Sequence, residues 1–136
     1  MAQKVSVRLD NLIRIPCTKD TIFRKWLEFL SPFHRLTDRE LDVATAFLKA
    51  RDELSKVILD SKVLDRNLMS EETQRKIKQE CSLTNQHFQV IKSKLKNKHF
   101  FKDGGINDKL IPHFDGEDKS NFFTLLYFQI KDNVQE

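Results

Sequence analysis

Four polar residues of one segment, Asn85, Gln89, Lys92 and Lys96, recur at three- and four-residue intervals. On a helix advancing about 100° per residue they fall within about 60° of one another. The types suit nucleic acid. Gln and Asn amides pair with adenine edges in the major groove, and Lys reaches guanine or phosphate. Gln86 and Lys102 extend the set, so the candidate nucleic-acid-binding residues are Asn85, Gln86, Gln89, Lys92, Lys96 and Lys102. From Thr84 to Lys102 there is no acidic residue and there are five lysines. Lys94 and Lys98, with Arg75, Lys76 and Lys78 just upstream, add charge of the kind that meets phosphate. A solvated or protein-binding face accounts for the same residues, and both readings stay open on the sequence.

Other chemistry is thinly supplied. The four histidines, His34, His87, His99 and His113, stand in no H-E-x-x-H pattern and at no ligand spacing from a cysteine. Glu71 and Glu72 open a helix, where the dipole accounts for them. No phosphate-cradling G-x-x-x-x-G-K, dinucleotide G-x-G-x-x-G or nucleophile G-x-S-x-G is present. No enzyme activity, cofactor, metal or small-molecule substrate is expected. Cys17 and Cys81 are far apart and read as two reduced, partly buried thiols.

These residues need a scaffold. The chain has 136 residues, 39% hydrophobic and 32% charged, which suits one globular domain. Gly and Pro total only six, too few for the turns of a β-sandwich. A net charge of +4 permits an acidic partner without requiring one. The first ten residues lack an apolar signal core, and no apolar run approaches the roughly 20 residues of a membrane span.

Along the chain, Val5, Val7 and Leu9 alternate as in a half-buried strand. A first helix starts at Thr18 or Asp20 and stops at Pro32. It buries Ile22, Phe23, Trp26, Leu27 and Leu30. Thr37 and Glu40 form a capping box, with Leu36 and Leu41 as a staple. The helix they start is expected to run to about Asp60, with an apolar stripe from Leu41 through Val57 and Ile58. Ser70 caps a shorter helix carrying Ile77 and Cys81. A three-residue turn follows, then a helix capped by Thr84 that buries Phe88, Ile91 and Leu95. Asp103-Gly104-Gly105 is expected to turn a hairpin with arms at 99–102 and 106–111. "NFFTLLYFQIKD" closes the chain as an expected strand.

The predicted fold class is therefore α+β, a mainly helical single domain with a winged-helix-like hairpin and strands at both termini. Its parts are an N-terminal strand or arm (1–17), a helical winged-helix-like core (18–111), and a loop with a C-terminal strand (112–136).

"LTDRELDVATAFL" resembles the opening helix of LuxR-type and MarR-type helix-turn-helix domains. "SLTNQHFQVIKSKLKNKHFF" resembles the turn, recognition helix and first wing strand of winged-helix regulators. The likeness spans roughly residues 36–111. More loosely, "FRKWLEFLSPFHRLTDRELDVATAFL" with "KSKLKNKHFFKDGGINDKLIPHF" resembles small conserved proteins of crAss-like tailed bacteriophages. That second resemblance implies a virion component that rings the portal or joins head to tail, and it carries no site residues. Two functions follow as expectations. One is a phage structural or connector protein in the virion or host cytoplasm. It would work through a homo- or hetero-oligomer, with DNA as a possible further partner and no membrane. The other is a winged helix-turn-helix transcriptional regulator.

Overall fold

A computed structural model describes residues 13–113 and 129–131. The strand expected around Val5–Leu9 lies outside the described residues, as does the expected closing strand apart from Gln129–Lys131, which has no regular structure. The described chain is mainly helical. Six helices, α1 (Ile22–Phe29), α2 (Ser31–His34), α3 (Asp38–Ser55), α4 (Ser61–Leu68), α5 (Glu71–Glu80) and α6 (Asn85–Asn97), lead into a hairpin of β1 (Phe101–Lys102) and β2 (Gly105–Ile106). A 3-10 turn at Asp108–Leu110 follows.

The central helix is α3, which packs against α1, α4, α5 and α6. Its start follows the expected chemistry. The Thr37 hydroxyl accepts from the Glu40 N–H, and the Glu40 carboxylate accepts from the Thr37 N–H at 3.2 Å. Leu36 and Leu41 on either side are both buried. Val43, Ala44, Phe47 and Leu48 form the middle of the core. Phe47 stacks on Phe88 of α6 at 6.2 Å and meets Phe101 of β1 edge-on at 5.0 Å, so one ring ties α3 to α6 and to the hairpin.

Several boundaries differ from expectation. α3 ends at Ser55 rather than near Asp60, and Val57 stands 79% exposed instead of continuing the buried stripe. The reason lies in Asp60, whose carboxylate accepts from the Lys62 and Val63 N–H groups and starts α4. That cap competes with continued helix through the same residues. α1 begins at Ile22. Thr18 contributes through reciprocal bonds with Thr21, while Asp20 does not cap. Pro32 ends α1, then serves at the first turn of α2, where its missing N–H costs nothing. α2 closes on Arg35 in the left-handed region.

Buried His34 organises this corner. Its Nε2–H donates to the Leu27 carbonyl at 2.6 Å, and its Nδ1 accepts from the Leu36 N–H at 2.9 Å. Trp26 reaches across the molecule, donating from Nε1 to the Leu110 carbonyl at 2.8 Å. That bond ties α1 to the 3-10 turn after the hairpin.

The hairpin is shorter than the expected arms of 99–102 and 106–111. Asp103 (φ 54°) and Gly104 (φ 82°) alone make the turn, and Gly105 pairs opposite Lys102. The second arm ends early because the Asn107 side chain accepts from the Lys109 N–H and starts the 3-10 turn. No described helix is long and apolar enough to cross a membrane.

Candidate functional site

Helix α6 is set by its cap and its neighbours. The Thr84 hydroxyl accepts from the His87 N–H at 3.2 Å. The preceding turn places Ser82 at φ 54°, and the Leu83 N–H returns to the Lys78 carbonyl at 2.9 Å. This closes α5 and re-aims the chain within three residues. Phe88, Ile91 and Leu95 are buried against α3, as the spacing predicts.

The candidate residues divide once this buried edge is known. Asn85 and Lys92 turn toward α5. The Asn85 carbonyl oxygen accepts from Lys78 Nζ at 3.0 Å, and Lys92 Nζ donates to the Gln74 side-chain oxygen at 2.7 Å. Both groups make contacts between helices. Asn85, Gln86, Gln89, Lys96 and Lys102 are exposed, and Lys92 is half-buried. The outermost ridge of α6 is instead Gln86, Ser93 and Asn97, within about 40° of one another and all exposed. Val90, 48% exposed, lies beside them. Sequence reasoning centred the face about a quarter turn away, because α5 could not be placed against one flank from spacing alone.

The supporting charges divide in the same way. Lys78 Nζ lies 5.9 Å from the Phe88 ring centroid in addition to its bond with Asn85. Lys76 pairs with Glu72 at 3.7 Å, an exposed contact of little energetic weight. Lys98 is engaged most fully. Its Nζ lies 2.5 Å from Glu40 Oε1 and 3.0 Å from the Arg35 carbonyl. Burial works to raise the Glu40 pKa. The Lys98 hydrogen bond and charge, with the bonds from Thr37, outweigh it and hold the carboxyl below its ordinary value. Spacing does not reveal this pair, since a capping-box Glu is ordinarily at the surface and the partners lie 58 residues apart.

Two clefts flank α6. The cleft on the α5 side, about 510 Å3, is lined by Glu71, Glu72, Arg75, Lys78, Asn85 and Gln89 among others. Glu71 and Glu72 occupy the first turn of α5, whose Ser70 cap bonds the Thr73 N–H. A helix N-terminus is otherwise favourable for an anion, but here carboxylates already stand in it. The cleft on the other side, about 530 Å3, lies between the start of α3 and α6. Leu83, Val90 and Ile91 supply its apolar surface, and Arg39 and Lys94 its cations, with His87 also in the lining. The sequence reading did not isolate this second cleft, because Arg39 and Lys94 come from separate helices.

The two thiols are free. Cys17 is exposed, so only Cys81 fits the expectation of partial burial. Burial raises the Cys81 pKa, with Glu80 and Asp42 acting in the same direction and Arg39 opposing. Among the described residues, no group of three or more His, Cys, Asp or Glu is placed to hold a metal ion. No family model, curated protein or solved structure matches the chain significantly.

Proposed function

We propose that this chain is a non-enzymatic phage structural or connector protein, built on a winged-helix-like scaffold and acting through contacts in an oligomer. The order α5, three-residue turn, α6 and hairpin supports that scaffold. The observation that carries the functional reading is the α5-side cleft. The side chains best suited to read bases, Asn85 and Gln89, share it with Glu71 and Glu72, and Asn85 and Lys92 are bonded to α5. Glu71 and Glu72 offset Arg75 and Lys78 in that cleft, so it offers a phosphate backbone no net positive charge, and the lysines of α6 are left for acidic protein surface or non-specific contact with packaged DNA. Phe33, Val57 and Leu59, at 74%, 79% and 97% exposure, add apolar surface of the kind protein contacts use. The virion or the host cytoplasm is the proposed location.

The regulator reading keeps one observation in its favour. The ridge Gln86, Ser93 and Asn97 is polar, uncharged and exposed, with Lys96 on one flank and Lys94 on the other.

Native mass separates the two. A ring stoichiometry is expected, and a stable monomer or simple dimer sinks the connector reading. Duplex binding under salt titration gives the second arm. Gln86→Ala with Gln89→Ala should leave any binding equally indifferent to sequence. A parent protein that prefers one site, and loses that preference in the double variant, establishes the regulator instead.

A further inference from the structure

The cleft between the start of α3 and α6 has a composition that selects its occupant. Its floor is apolar, from Leu83, Val90 and Ile91, and two exposed cations line the same opening beside His87: Lys94, and Arg39, which also bonds Asp42 and the Cys81 carbonyl. The one carboxylate in the lining, Glu40, is engaged by Lys98. The cleft therefore presents apolar surface with a positive rim. A duplex does not satisfy it, because phosphate gains nothing from the apolar floor. A peptide with acidic residues followed by apolar ones satisfies both features.

This chain contains such a peptide. Asp115, Glu117 and Asp118 are followed by Phe122, Phe123, Leu125, Leu126, Tyr127 and Phe128 within "DGEDKSNFFTLLYFQI". Aromatic and leucine side chains at this density are the anchors that fill interface pockets. The acidic run gives the register, since it must meet Arg39 and Lys94 while the apolar part meets Val90 and Ile91. In an assembly of identical chains the donor is present at the same concentration as the cleft, whatever other proteins are nearby.

We propose that this cleft receives the segment Asn121–Ile130 of a second copy of the chain, guided by the charge match between Asp115, Glu117 and Asp118 and the cations of the rim. The proposal rests on the connector reading and specifies the contact that joins neighbouring copies. Each copy is then both donor and acceptor, which propagates head to tail and closes where the rotation per copy allows a ring.

The full-length protein tests this. A photo-cross-linking residue replaces His87 on the rim, and isotopically labelled and unlabelled copies are mixed before irradiation. Cross-links to residues 121–130 that join heavy to light chains are expected. Cross-links only within one chain, or only to DNA or host proteins, overturn the proposal. Native mass is read in parallel for Val90→Glu and Lys94→Glu, both at exposed positions that leave the core intact. Each should raise the concentration for half-assembly at least tenfold. Combining Lys94→Glu with Glu117→Lys and Asp118→Lys should recover most of the loss. If a ring persists unchanged in both single variants, this contact is wrong and the connector reading stands. If the parent chain is monomeric throughout, both fail.

Discussion

Lys98 Nζ lies 2.5 Å from Glu40 Oε1, joining the end of the basic helix to the first turn of the helix beneath it. Glu40 is almost wholly buried, whereas the lysine keeps about a third of its side chain in solvent. The same ammonium reaches the Arg35 carbonyl, so one cation spans the left-handed residue, the capping box and the end of α6. The bond holds the end of α6 to the start of α3, and so braces the cleft that these two helices line.

The pair predicts a pH dependence of folding. The Glu40 pKa is lowered on folding, so its stabilising contribution is full above the ordinary glutamate value of about 4.3 and is lost as pH falls through the lower folded value. Urea titrations between neutral pH and pH 3 should show this loss. Lys98→Met should cost about 1.5–3 kcal/mol at pH 7 by leaving the carboxylate without its cation, and should flatten the acid limb. An acid limb as steep in Lys98→Met as in the parent would assign the dependence to other carboxylates.

The hairpin glycines separate two kinds of requirement. Gly104 sits at φ 82° with open space where a Cβ would go, so Gly104→Ala should cost about 1 kcal/mol through backbone strain alone. Gly105 has no such torsion, but a Cβ there would lie 2.5 Å from the Asp65 carboxyl carbon on α4. Gly105→Ala should cost up to about 1 kcal/mol, because the half-exposed Asp65 carboxyl must swing aside. Asp65→Ala should relieve that cost and leave the cost at Gly104 untouched. A double-mutant cycle by thermal denaturation reads the difference; equal coupling of both glycines to Asp65 would disprove the distinction.

Phe47 should be the costliest single truncation near the site. It is fully buried and contacts rings from α6 and β1. Phe47→Ala should destabilise by about 3–5 kcal/mol. Phe47→Leu should cost less while still loosening the hairpin, visible as faster amide exchange at Phe101 and Ile106. Loss confined to α3, with hairpin exchange unchanged, would argue against a shared ring cluster.

Much of this arrangement was legible because its signals are local. Thr37 with Glu40, Ser70 and Thr84 mark helix starts through bonds within three residues, and all three cap as their sequence context requires. The Asp103–Gly104 turn is equally local. What spacing could not supply was competition and distance. Asp60 satisfies orphan N–H groups of a new helix, and nothing in the apolar stripe through Val57 reveals that the cap prevails. The outermost ridge of α6 is hidden from spacing for a related reason. Periodicity finds the edge of α6 toward α3, but α5 lies along one flank through Lys78 and Gln74, so the ridge opposite the core is Gln86, Ser93 and Asn97, about a quarter turn from Asn85 and Lys92.

The thiols offer a readout of how firmly α5 lies on α3. Cys81, at the end of α5, directs its Sγ toward the Asp42 carbonyl at 3.7 Å, while Cys17 is exposed. Burial and the neighbouring carboxylates raise the Cys81 pKa, so its thiolate fraction at pH 8 is small. Maleimide or iodoacetamide at pH 8 should modify Cys17 first, with Cys81 slower by tenfold or more. Arg39 pairs with Asp42 at 3.2 Å and donates to the Cys81 carbonyl at 3.0 Å, so it holds this corner and also lowers the thiol pKa slightly. Arg39→Gln should loosen the α5 end and increase Cys81 labelling, because the gain in access outweighs the lost cation. Slower labelling in that variant, with unchanged overall stability, would mean that the cation governs reactivity and the bond to the Cys81 carbonyl holds nothing.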